Sequence, residues 1–175
     1  MKALFGGNKS PYLFAVLFFL FACQPDGLDP ANVNAEESYQ GVDQRLWSYF
    51  ADFEEEGRNR GFNIDIRARF ITGEIREIEQ EHVAGQCQFN FRAPNHIIID
   101  EEFWEEVPSV NFREMIIFHE LGHCYLGQDH REEVLDRNIC ASIMRSGNEP
   151  CFDNYTSATR EYYLNELFNF DASGN

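Results

Sequence analysis

The stretch Met115-Ile116-Ile117-Phe118-His119-Glu120-Leu121-Gly122-His123 sets two histidines and an acid inside an apolar run, and it constrains the fold more than any other part of the chain. On a helix, residues four apart differ by about 40° around the axis and about 6 Å along it. Both imidazoles therefore project from one face and can hold a single Zn²⁺. Glu120 lies one step round the helix, within reach of a zinc-held water without being a ligand. Neutral imidazole leaves the ion a net positive charge, which draws the pKa of its water towards about 7. A carboxylate can then take that proton as the water attacks a peptide carbonyl, and later deliver it to the leaving nitrogen.

A catalytic zinc needs a third protein ligand. Downstream comes Cys124-Tyr125-Leu126-Gly127-Gln128-Asp129-His130. Gly127 can end the helix in a left-handed turn that needs no Cβ, after which the chain bends back and His130 can reach the metal. With these residues the segment resembles the metzincin clan of zinc endopeptidases, whose pattern is His-Glu-x-x-His-x-x-Gly-x-x-His. The resemblance implies His119, His123 and His130 as zinc ligands, Glu120 as general base and Gly127 as the turn. The chain departs from the pattern in having three residues, not two, between His123 and Gly127, so a one-residue insertion before the turn is required. Without it Asp129 takes the third place, as in some clan members. His130 is preferred, because Gly-x-x-His is intact and imidazole suits zinc. Glu149 or Glu161 as third ligand would leave Gly127 and His130 unexplained.

Farther on, Ser142-Ile143-Met144-Arg145-Ser146-Gly147 resembles the Met-turn of the same clan, which implies Met144 as an apolar floor beneath the histidines. On residue type alone an ordinary core methionine reads equally well. The resemblance spans about residues 116–147. The fold it implies is a small α+β, metzincin-like zincin domain: a twisted mixed sheet, an active-site helix packed behind it, and a C-terminal helix. Tyr155 is a possible oxyanion donor but matches no clan position.

Hydrophobic periodicity fills in the rest. From Glu36 to about Glu56, Tyr39, Val42, Leu46, Tyr49, Phe50 and Phe53 recur at three- and four-residue steps, which predicts a helix ending near Gly57 or Gly61. Phe62 to Phe70 alternates apolar with polar and predicts a half-buried strand. Further strands are expected around Ile75–Ile78 and Gly85–Phe91. The run Ile97-Ile98-Ile99 predicts a strand buried on both faces. Helices are expected over Glu102–Glu106, Val110–Leu126 and Ser157–Phe168, the last with Tyr162, Tyr163, Leu164 and Leu167 as its apolar side. Strands in one block with helices on either side indicate α+β. Trp47 and Trp104 read as core anchors or partly exposed apolar surface, His82 and His96 as surface or satisfied loop histidines rather than ligands, and the acidic pairs Glu101-Glu102 and Glu105-Glu106 as solvated surface.

The first residues belong to targeting, not to the fold. Lys2 and Lys9 precede an apolar run of twelve, Pro11 to Ala22, too short for a membrane span of about 20 residues but suited to a secretory signal. Leu20-Phe21-Ala22-Cys23 resembles the lipobox of bacterial lipoproteins, which implies cleavage before Cys23 and its acylation. The expected organisation is a lipoprotein signal over 1–22, a Pro- and Gly-bearing tether over 23–35, and a peptidase domain over 36–170. That places the protein in the cell envelope, anchored to a membrane through its N-terminal lipid, with Gln24 resembling an outer-membrane sorting residue.

Cleavage removes both lysines and leaves 12 arginines against all 30 acids, a formal charge of −18. So acidic a chain lacks the basic face that nucleic acid requires. Four cysteines remain, Cys87, Cys124, Cys140 and Cys151, an even number that suggests two disulfides in an exported domain. Of the three pairings the preferred one joins Cys140 to Cys151 and Cys87 to Cys124. The expected protein is a monomeric zinc endopeptidase acting on peptide or protein substrates. The alternatives are a lipid-anchored surface binding protein with a vestigial or structural zinc site, against which the intact Glu120 argues, and a zinc hydrolase acting on something other than a peptide.

Overall fold

The Ile97–Ile99 run, β-branched and without polar alternation, can be stable only where both faces are covered. In the computed structural model, which describes residues 38–107, 109–135, 139–147 and 152–169, all three isoleucines are fully buried. They lie in strand β3 (His96–Asp100), the centre of a three-stranded sheet that also contains β1 (Thr72–Arg76) and β2 (Gly85–Gln88). β1 pairs with β3 in parallel, Thr72 opposite His96 and Arg76 opposite Asp100. β2 pairs antiparallel on the other side, Gly85 opposite Ile99 and Cys87 opposite Ile97. The sheet is therefore mixed, with β2 at an edge.

Helix α1 (Trp47–Asn59) begins later than its apolar spacing predicts. Asp43 accepts from the Arg45 backbone N–H and starts a 3₁₀ turn over Gln44–Leu46, while Val42 forms a parallel bridge to Gly73. Tyr39 and Val42 thus reach the core without being helical. α1 runs through Gly57 and stops before Gly61, whose φ is +85°.

The strand expected over Phe62–Phe70 is absent. Only Ile64 and Ile66 are buried, whereas Phe62 and Phe70 are 39% and 65% exposed. Side chains take the backbone donors that a ladder would use: Asp65 N–H donates to Tyr125 Oη, Ile66 N–H to Glu54 Oε1 and Ala68 N–H to Asp65 Oδ1.

Asp100 ends β3 and caps helix α2 (Glu101–Glu106) by accepting from Phe103 N–H. Helix α3 (Val110–Leu121) packs across β2 and β3 and against α1, with Phe118 edge-on to Phe53 at a centroid distance of 5.1 Å. A π-helical turn over Gly122–Leu126 continues it. A short antiparallel ribbon of β4 (Val134–Leu135) and β5 (Ile139–Cys140) follows, which the sequence pattern did not signal. Helix α4 (Arg160–Phe168) starts three residues later than expected and buries Tyr163, Leu164, Leu167 and Phe168. Tyr162 instead stays half exposed and donates to the Ala141 carbonyl.

The three long helices share a buried ionic junction. Glu114 of α3 accepts from Tyr155 Oη at 2.8 Å and from Arg160 Nη2 at 2.7 Å, and Arg160 Nη1 also meets Glu56 of α1 at 2.6 Å. A disulfide joins Cys87 to Cys124, as the preferred pairing had it. Cys140 is also disulfide-bonded, but Cys151 lies outside the described residues. So do the signal, Cys23 and the tether. Among the described residues no helix is long and apolar enough to cross a membrane. The architecture is α+β.

Candidate metal centre

The helical spacing brings His119 and His123 together, and the return of the chain after Gly127 adds His130. One ligand atom from each of the three lies within 4.8 Å of the other two, and the ring centroids stand 4.7–5.3 Å apart. The turn is made as Gly127 permits, with φ +70° and its N–H returning to the carbonyls of Gly122 and His123. Cys124, Tyr125 and Leu126, the residues between His123 and Gly127, all lie in the π-helical turn Gly122–Leu126, and a π turn is an α turn widened by one residue.

Backbone carbonyls fix the two helical imidazoles. His119 Nδ1 donates to the Ile143 carbonyl and His123 Nδ1 to the Gln128 carbonyl, each at 2.6 Å. A carbonyl can only accept, so each Nδ1 carries the proton and each Nε2 presents a lone pair. These two Nε2 atoms face each other at 3.1 Å. Two acceptors at that distance repel unless a cation lies between them. Two nitrogens bound tetrahedrally to zinc at about 2.1 Å are about 3.4 Å apart. Burial holds His119 down to about 4 and lowers His123 as well, so both stay in the neutral form a metal requires. The donor set therefore fits Zn²⁺.

Met144 is fully buried, and a Cβ placed on Gly122 would meet its Sδ at 2.4 Å. It packs against Gly122, the residue before His123 in the chain. Its turn is closed by the Met144 N–H donating to Ser142 Oγ, and its carbonyl accepts from Arg131 N–H at 2.8 Å. The Met144 turn and the segment after His130 are thereby tied together.

Glu120 is 4% exposed. Burial pushes its carboxyl up to about 8, opposed by the backbone N–H of Cys87. It lines a cleft of about 750 Å³ whose one wall is β2 and whose other carries Ile143, Arg145 and Gly147. His82, at φ +65°, also lines it.

Asp129 lines the same cleft but is not one of the three converging groups. Tyr155 is buried on Glu114, and Glu161 pairs with Arg60. Glu149 lies outside the described residues. His96 sits on Thr72 and Glu74, and the α2 acids are exposed. Sequence reasoning missed the carbonyls of Ile143 and Gln128, since a backbone acceptor leaves no mark on residue type. It also missed Gly85, for which the one available cue was an isolated glycine at a strand start. No family model matches the chain, nor does any curated protein or solved structure.

Proposed function

We propose that this chain is a metzincin-like zinc endopeptidase. The observation that carries the reading is the convergence of His119, His123 and His130 on one point with Glu120 beside it in an open cleft. His119 and His123 would hold the metal through Nε2, with His130 completing the set. A bound zinc ion supplies Lewis acidity, polarising the scissile carbonyl and acidifying water. Glu120 serves as the base that removes a proton from the attacking water and returns it to the leaving amine. A neighbouring dication favours its carboxylate form over the protonated one that burial alone would impose.

The edge strand supports a peptide substrate. Among the described residues β2 is paired on one side only, and its residues Gly85 to Gln88 line the cleft. An extended peptide can add to such an edge through main-chain hydrogen bonds, which hold a backbone whatever its side chains. That mode suits an endopeptidase better than a hydrolase of small esters. With a lipid on Cys23, the enzyme would work at a membrane surface.

The test is Glu120→Gln in the full chain, purified in detergent. Stoichiometric zinc should remain while hydrolysis of an unfolded protein falls by about 10²–10⁴-fold. Full residual turnover removes the role of the base. Zinc bound by a wild type that cleaves nothing supports the surface binding protein instead.

A further inference from the structure

The Glu120 side chain leaves α3 and comes to rest on strand β2. A Cβ built on Gly85 would stand 2.8 Å from Glu120 Oε1 and 2.9 Å from its Cγ. The acid thus occupies the volume that any side chain at position 85 would need. Two residues along the same strand, Cys87 is bonded to Cys124, the residue immediately after His123. From the segment entering β3, Asn95 Nδ2 also donates to the Cys124 carbonyl at 2.8 Å. Within the sheet of the described residues β2 pairs only with β3, and α3 packs across it. The strand that supports the base is therefore covalently fixed to the turn that carries a histidine of the proposed metal site.

We propose that Gly85, Cys87 and Cys124 are positioning residues for Glu120: the glycine clears its place, and the disulfide fixes the distance of that place from the imidazoles. This rests on reading the cleft as a hydrolase. A base has to sit within about 3 Å of the proton it takes, and a misplacement of about 1 Å can cost about 10²-fold in rate. The histidines have supports of their own besides the disulfide. His119 and His123 are oriented by the Ile143 and Gln128 carbonyls, neither of which is on β2. Loosening the strand should therefore slacken the base and leave the metal ligands in place.

Two variants of the full chain test this, Cys87→Ser/Cys124→Ala and, with the disulfide intact, Gly85→Ala. Each should bind zinc with wild-type stoichiometry and give an unchanged visible spectrum after cobalt substitution, while kcat falls at least about tenfold. In a Glu120→Gln background neither should lower the residual rate further, because the group they act through is gone. If the first variant fails to fold, Gly85→Ala decides. A wild-type kcat, loss of zinc in step with activity, or fully additive effects in the Glu120→Gln background overturns the positioning role. If the wild type hydrolyses nothing, the hydrolase reading itself falls and this one with it; if it hydrolyses and only these variants behave as wild type, the hydrolase reading stands alone.

Discussion

At the scale of single residues, the three histidines differ in what holds them. His119 and His123 are half-buried and anchored through Nδ1, while His130 is exposed and reaches the site from the returning segment. Histidine and aspartate compete for the third place in the sequence, since Asp129 is adjacent. The geometry separates them, so substitution should too. His130→Ala is expected to weaken zinc affinity by at least about tenfold, and Asp129→Ala to leave it within about twofold; competition with a chromophoric chelator reads both. Equal losses would show that the acid shares in binding. The imidazole spacing and the acid between were legible in the chain because they follow from helical periodicity alone. The partners that fix the tautomers were not, because they are main-chain oxygens contributed from 24 and five residues away.

At the scale of elements, the junction of α1, α3 and α4 lies on the helix that bears His119 and Glu120. Arg160 is shared by Glu114 and Glu56, so removing it leaves Glu114 buried with Tyr155 alone. Arg160→Ala should cost about 2–3 kcal/mol, below the full value for a buried pair because the guanidinium is partly exposed. Denaturant midpoints with unchanged slope measure it. The pH dependence has a definite sign. Burial pushes Glu56 up, but hydrogen bonds from Arg160 and Arg60 prevail and hold its carboxyl below the ordinary value. A carboxyl depressed in the folded state contributes stability above its unfolded pKa and loses it as pH falls through the folded one. The gap between wild type and Arg160→Ala should therefore narrow below about pH 4.5. Among the elements, β3 and α3 were legible because each is apolar in a pattern only one geometry buries. The strand expected at Phe62–Phe70 failed because Glu54, Asp65 and Tyr125 side chains, distant or local, capture the backbone donors. Alternation marks which side chains are buried, not where N–H groups find partners.

At the scale of the whole molecule, acidity dominates. With 30 acids against 14 lysines and arginines, like charges crowd the surface. Self-repulsion of this kind weakens a compact state and is screened by salt. Melting temperature should rise as sodium chloride increases from about 0.01 M to 0.5 M, over which the Debye length falls from about 30 Å to a few ångströms; a flat or falling curve would mean that attractive pairs prevail. The widened turn at Gly122–Leu126 also bears on how this chain is read. Six residues separate His123 from His130, yet their ring centroids stand 4.7 Å apart, so in this segment distance along the chain is a poor guide to nearness in space.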